Sequence, residues 1–177
     1  GRYIQGARRA LITDNTIRQN DVGILVYDAE DGGTTVRNNR IFDNSKRGIW
    51  IYKGTANKTV VNNTLYHNTI EIQLGNEGGR SDDPGLGNLF RNNIVVAHEN
   101  DGYCILVSLR DGDDDDDDDR RNNRDDDDDD DNEEEGDGDE LPGATFDYNL
   151  YHTEDGGTRV ARVDGRDLND LVDWQAR

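Results

Sequence analysis

Three stretches of the chain align without gaps and decide the fold: Ile12-Thr-Asp-Asn-Thr-Ile17, Val36-Arg-Asn-Asn-Arg-Ile41 and Val60-Val-Asn-Asn-Thr-Leu65. Within them, Asn15, Asn39 and Asn63 are 24 residues apart. Two later copies, Phe90-Arg-Asn-Asn-Ile-Val95 and Phe146-Asp-Tyr-Asn-Leu-Tyr151, place Asn93 and Asn149 in the same slot. A short unit repeated at a nearly fixed period indicates a repeat architecture, in which each unit packs on its neighbours.

A second segment of each repeat alternates between outward and inward residues. It reads Gly23-Ile-Leu-Val-Tyr27, Gly48-Ile-Trp-Ile-Tyr52 and Ile70-Glu-Ile-Gln-Leu74 in the first three copies. Short strands of period two, separated by Asn and Gly, are typical of β-structure. The spacing predicts an all-β parallel β-helix, a solenoid of about five coils of about 24 residues, in which equivalent slots stack about 4.8 Å apart.

The repeated asparagines have two interpretations. An asparagine in a tight inward turn bonds to the asparagine above and below it, which satisfies amides that are otherwise costly to bury. Alternatively, these residues are only turn asparagines in left-handed conformations. Five copies in one slot favour the ladder, formed by Asn15, Asn39, Asn63, Asn93 and Asn149.

The repeat V-x-N-N-x-I-x-x-N-x-x-x-G-I-x-I resembles the right-handed parallel β-helix repeat proteins of the pectate-lyase-like superfamily. The closing segment, Phe146 to His152 and then Leu171 to Ala176, is similar to the C-terminal end of such domains in secreted proteins. The resemblance covers nearly the whole chain outside residues 111–140, and it implies the fold more strongly than an activity, because this superfold serves many functions.

The negative charge of the chain is concentrated in one insert. Residues 111–140 hold 21 of the 40 acidic residues and 3 of the 20 basic ones, whereas the remainder has a net charge of only −2. The insert has no residues with which to build a core, so it reads as a solvated, self-repelling loop. The alternative is Ca²⁺ binding by carboxylate oxygens, with Asp115, Asp117, Asp127 and Asp129 as candidate ligands.

The chain is predicted to be one β-helix domain over residues 1–177. At residues 166–177, Asp167 followed by Leu168, Leu171 and Val172 predicts a short N-capped helix that covers the last coil. The single cysteine, Cys104, excludes an internal disulfide and reads as a small buried hydrophobe. The start at Gly1 and the absence of methionine indicate a processed or excised chain, one that continues into upstream coils or associates end to end.

Alternation along the strands predicts one outward face that carries chemistry. It presents Trp50, Tyr52 and Tyr27, with Glu71, Gln73 and the nearby Lys53 supplying polar contacts. The superfamily resemblance implies that this face is the floor of a polysaccharide groove, in which the aromatic rings would form a flat platform for sugars. The other interpretation is that the rings only cover their neighbours.

Catalysis has less support in the sequence. Lys53, Arg47 and His67 lie in reach of this flank, but no spacing ties them to a paired acid or base. His67 itself reads as a turn histidine. A complete catalytic signature is absent, and an enzymatic function, if present, would be lyase-like by resemblance.

Two functions follow from the sequence. The first is an extracellular module that binds acidic or neutral polysaccharide, as the non-catalytic tail of a lyase-like enzyme. The second is a structural or adhesive element of the cell surface or of a filament, with a Ca²⁺-binding loop. The acidic balance disfavours nucleic acid, and no apolar run is long enough for a membrane span.

Overall fold

The computed structural model describes residues 1–5, 9–27, 33–52, 56–75, 87–98, 102–108, 144–153, 160–163 and 166–168. In this part of the chain, 17 strands, numbered β1 to β17 in chain order, form three sheets. No helix in this part is long and apolar enough to cross a membrane.

Sheet A has seven strands, more than either of the other two sheets. In spatial order these are β1 (Arg2–Gln5), β4 (Val22–Tyr27), β7 (Arg47–Tyr52), β10 (Ile70–Gly75), β13 (Tyr103–Ser108), β16 (Ala161–Val163) and β17 (Arg166–Leu168). All neighbours are parallel except β16 and β17, which are antiparallel.

Sheets B and C have five strands each, and all of their pairs are parallel. Sheet B contains β14 (Ala144–Asp147), β11 (Asn88–Arg91), β8 (Thr59–Val61), β5 (Thr35–Arg37) and β2 (Leu11–Thr13). Sheet C contains β15 (Leu150–Thr153), β12 (Ile94–Ala97), β9 (Thr64–Tyr66), β6 (Arg40–Phe42) and β3 (Thr16–Arg18). Each of the five coils runs through B, then C, then A, which confirms the predicted parallel β-helix.

The core fills the space between the three sheets with stacked columns of similar side chains. Ile12 pairs with Val36, and Ile17 pairs with Ile41 one coil on. A third column, on sheet A, consists of Ile24, Ile49, Ile72 and Ile105, all buried. Because β-branched residues fit a pleated buried surface, the same residue type recurs in one slot coil after coil.

The corner between sheets B and C, here called the first corner, carries the predicted ladder. Asn39 Nδ2 donates to Asn63 Oδ1 at 3.0 Å, and Asn63 Nδ2 donates to Asn93 Oδ1 at 3.1 Å. The outer rungs, to Asn15 and Asn149, have distances of 3.0 and 2.9 Å. The five asparagines therefore form one continuous series of amide-to-amide hydrogen bonds.

In each turn of the first corner, one residue forms the ladder and the residue before it has the left-handed conformation. The residue before each ladder asparagine takes the left-handed conformation, with φ of 58° at Asp14, 56° at Asn38 and 55° at Asn62. Asparagine and aspartate tolerate this conformation better than most residues. The ladder asparagines are therefore not the left-handed residues, because that position belongs to the residue before each of them.

The corner between sheets C and A, here called the second corner, carries a shorter ladder. Asn20 Nδ2 donates to Asn44 Oδ1 at 3.2 Å, and Asn44 Nδ2 donates to Asn68 Oδ1 at 2.8 Å. The next acceptor is the carboxyl of Glu71, whose Oε1 receives the Asn68 backbone N–H at 2.9 Å. Asn68 Nδ2 also donates to Glu71 Oε2. A carboxyl group therefore ends the series.

The position of Glu71 corrects the predicted alternation, which placed this residue on the outer face. Glu71 is fully buried, whereas Ile70 is only half-buried. In the two earlier coils the equivalent slot holds Gly23 and Gly48. A Cβ on Gly48 would lie 3.0 Å from both Asn68 Nδ2 and Leu65 Cδ2, so this slot faces the interior. The chain enters sheet A with two successive residues turned inward, which breaks the period of two.

The end of the chain differs from the predicted cap. Arg166–Leu168, where the helix was expected to begin, form β17 against β16. The described residues contain no helix, and the remainder of the predicted cap lies outside them. The acidic insert, residues 111–140, also lies outside the described part.

Candidate sugar-binding face

The outer face of sheet A brings together the three aromatic residues that the sequence analysis selected. Tyr27 and Tyr52 stack with ring centroids 5.1 Å apart and planes 23° apart. Tyr3, on β1, continues the column at 6.4 Å from Tyr27. Trp50 meets Tyr52 edge-on at 4.8 Å. Strand register produces this column, because β4 and β7 pair Tyr27 with Tyr52 directly.

The indole of Trp50 is fixed from two sides. Its Nε1 donates to the backbone oxygen of Gly75 at 2.9 Å, and the Arg47 guanidinium lies 3.9 Å from the ring centroid. Arg47 Nε in turn donates to Gln73 Oε1. A ring held by a hydrogen bond and a stacked cation loses little conformational entropy when a ligand contacts it.

The predicted polar residues stand apart from this surface. Gln73 pairs with Trp50 in register, but its side chain is buried. Its Oε1 accepts a hydrogen bond from Arg47 Nε, so Gln73 orients Arg47 and is not itself exposed to a ligand. Glu71 is withdrawn into the second corner. Lys53 lies outside the described residues, as do Asp115, Asp117, Asp127 and Asp129. Among the described residues, no group of three or more His, Cys, Asp or Glu side chains is placed to hold a metal ion.

Two residues on this face are ones the sequence reasoning missed. Tyr3 is 59% exposed and extends the ring column to β1. Arg162 Nη1 donates to the Tyr103 hydroxyl at 3.2 Å, which adds a second guanidinium at the other end of the sheet. Tyr3 aligns with Leu25 and Trp50 in the strand register, so the alternation of β1 was the signal that could have placed it on this face.

The ionisable groups behind this face favour neutral forms. Burial raises the pKa of Glu71 to about 8, against two lowering hydrogen bonds from Asn68. Burial also raises the pKa of the Cys104 thiol, in the equivalent slot of the next coil, to about 12. Cys104 is free and buried, as its sequence context predicted. On β1, β4, β7, β10 and β13, Glu71 is the one carboxylic residue, so these five strands offer rings, amides and guanidinium groups but no exposed acid–base pair.

Stacked parallel coils of this kind define the class of right-handed parallel β-helix proteins. The model of a family described as a right handed beta helix region matches residues 1–113, more than half of the chain, and the protein belongs to that family. No curated protein and no solved structure matches the chain.

Proposed function

We propose that the protein binds an extended polysaccharide along the outer face of sheet A, outside the cell or at its surface. The observation that carries this proposal is the column of Tyr3, Tyr27 and Tyr52, with Trp50 at its side. Aromatic side chains present large apolar areas at low cost in conformational entropy, which suits the flat faces of sugar rings.

The repeat of the fold supports an extended ligand. Successive rings are set one strand apart, so the platform runs along the axis of the solenoid and not across a single coil. Superhelical repeat proteins use such continuous surfaces to contact elongated partners. A binding module is favoured over an enzyme because the strands β1, β4, β7, β10 and β13 place no exposed carboxylate and no histidine on the outer face.

The test is affinity electrophoresis through gels that contain neutral or acidic polysaccharides. Tyr52→Ala and Trp50→Ala should lower retention about tenfold or more, because both residues lie at the centre of the platform. Tyr66→Ala is a matched control, since Tyr66 stacks on Phe42 in the same way but on the outer face of sheet C. Circular dichroism and melting curves establish that each variant is folded.

Two outcomes would contradict this function. If wild type and variants migrate alike in every gel, the rings only cover one another. If the Tyr66→Ala control loses retention equally, sheet A has no special role. In either case a structural or adhesive element becomes the better interpretation, and sedimentation of the wild type at increasing concentration would then test self-association.

A further inference from the structure

A polar groove runs along the second corner, on a surface separate from the aromatic face. It encloses about 490 Å³ and is bordered by residues from four successive coils. Its floor is the shorter asparagine ladder. One side carries Asp43, His67 and His98, and the other side carries Asp21 and Ser45.

The floor of the groove is rigid because its amides are already bonded. Asn44 donates its backbone N–H to Asn68 Oδ1 at 3.1 Å and its Nδ2 to the same oxygen at 2.8 Å. Its own Oδ1 accepts the backbone N–H and the side-chain amide of Asn20. A ligand in the groove must therefore be recognised by the side walls.

The first wall places a carboxylate beside two imidazoles. His67 Nδ1 lies 3.5 Å from Asp43 Oδ1, and the side chains are 41% and 48% exposed. The rings of His67 and His98 are 4.6 Å apart and tilted by 46°. This wall offers carboxylate oxygens as acceptors and imidazole nitrogens as donors or acceptors, and none of these groups is withdrawn into the core.

The second wall holds an ionised carboxylate. The Ser45 hydroxyl donates to Asp21 Oδ1 at 2.9 Å, and Lys46 Nζ lies 3.4 Å from Asp21 Oδ2. These two partners hold the pKa of Asp21 below its usual range. Asp21 and Asp43 give the groove two carboxylates. Lys46 lies beside Asp21, and the N-terminal ammonium of Gly1 donates to Asn20 Oδ1, so Asp43 is the carboxylate of the groove whose described ionic partner is an imidazole.

We infer that this groove binds a sugar that carries a free, protonated amine, with the ammonium group on Asp43 and the hydroxyl groups on the surrounding polar side chains. Hydrogen bonds between ammonium and carboxylate are about twice as strong as neutral ones, so charge selects the ligand. A uronate would bring a like charge to Asp43 and is disfavoured. This inference goes beyond the proposed function and does not depend on it, because the groove and the aromatic face share no residue.

The experiment uses the chain's three histidines as reporters. Imidazole ¹H–¹⁵N resonances are followed as the whole protein is titrated with a glucosamine tetramer, at a pH where its amines are protonated, and with the fully N-acetylated tetramer. The resonances of His67 and His98 should shift with the free-amine tetramer, whereas those of the exposed His152, on sheet C, should not. The acetylated tetramer should bind at least about tenfold more weakly, because acetylation removes the charge.

Asp43→Asn should weaken binding of the free-amine tetramer about tenfold. Asp14→Asn is the matched control, because Asp14 occupies the equivalent left-handed position at the first corner, with φ of 58° against 52° for Asp43. Trp50→Ala should leave the His67 and His98 shifts unchanged, which separates this site from the sheet A proposal. Equal binding of both tetramers, or equal weakening by Asp43→Asn and Asp14→Asn, would overturn the inference in favour of diffuse attraction to an acidic protein.

Discussion

Both corners are built from amide-to-amide hydrogen bonds between stacked asparagines, but the two series differ in length and in how they end. At the first corner five asparagines follow one another through every coil, and the side chains from Asn39 to Asn93 are almost completely buried. At the second corner the series stops after Asn68, where Glu71 takes the place of the next amide. A continuous ladder only supports the coil, whereas the interrupted ladder lies beneath a groove with exposed imidazoles and carboxylates. The difference indicates that the first corner serves the architecture of the coil, whereas the second corner leaves polar side chains accessible in a groove.

The largest expected effect is the loss of a central rung at the first corner. Asn63→Leu removes the donor to Val36 O and to Asn93 Oδ1, and the acceptor of both Asn39 groups. Several buried polar groups then lack partners, so the free energy of unfolding should fall by about 3–5 kcal/mol. Denaturant titration measures this change.

Asn44→Leu makes the comparison between corners quantitative. The bond from Asn44 Nδ2 to Ile17 O is 3.5 Å long, against 3.0 Å for the equivalent bond of Asn63, so the loss at the second corner should be smaller. Asn15→Leu, at the end of the first ladder, is the control and should cost about 1 kcal/mol. Equal losses for all three variants would mean that position in the ladder does not matter.

The next effect concerns pH and the carboxyl that ends the second ladder. The folded-state pKa of Glu71, about 8, lies above its ordinary value of 4.5, so the folded protein holds this proton more tightly than the unfolded chain does. The resulting stabilisation is complete below pH 4.5 and is lost as pH rises through 8. Glu71→Gln should remove a decline on the order of 2–4 kcal/mol across this window.

Melting temperatures of both proteins at a series of pH values measure that difference. Below pH 4.5 neither side chain is charged, so the difference that remains between the two proteins is the one hydrogen bond from Asn68 that the amide nitrogen of the Glu71→Gln side chain cannot accept. If the curves run parallel over the whole range, the Glu71 carboxyl is not the group that titrates.

The smallest effect concerns the glycine beside Glu71. A Cβ at Gly48 would lie 2.6 Å from the backbone oxygen of Glu71. Gly48→Ala therefore forces the two coils apart and should lower the free energy of unfolding by about 1–3 kcal/mol. Gly33→Ala is the control, because its Cβ would meet Asn57 O at an ordinary 3.5 Å. A stable Gly48→Ala protein would show that the second corner adjusts its spacing freely.

The sequence predicts the parallel coil and the first ladder because both depend on identical residues in identical slots. If one coil contains 24 residues, residues that are 24 apart in the sequence, such as Asn39 and Asn63, lie next to each other in adjacent coils. The predicted orientation of Glu71 was wrong, because strict alternation of inward and outward side chains fails where the chain turns from the second corner into sheet A. Gly23 and Gly48 in the preceding coils were the available signal, since a slot that tolerates no side chain in two coils faces a crowded interior.

The groove at the second corner could not be predicted from residues taken one at a time, because residues from four coils line it. His67 was interpreted as a turn histidine, and its left-handed φ of 57° agrees with that role. Its contact with Asp43 depends on the stacking of equivalent turns 24 residues apart, so the repeat period was the signal for this pair as well. The predicted C-terminal helix rested on local capping rules, whereas Arg166–Leu168 pair with β16 through a sheet edge that those rules do not consider.

The antiparallel pair β16–β17 is the one described pairing between strands that follow each other directly in the chain. Every other described pairing closes a loop of about one coil or more. The chain therefore loses conformational entropy on closing that loop before the hydrogen bonds between the strands can stabilise it. Folding of such a chain is expected to be slow at its first coil-to-coil contact and rapid afterwards, since each new coil docks on a template already in place. The rate of assembly is then set by nucleation between two coils and depends little on how many coils follow.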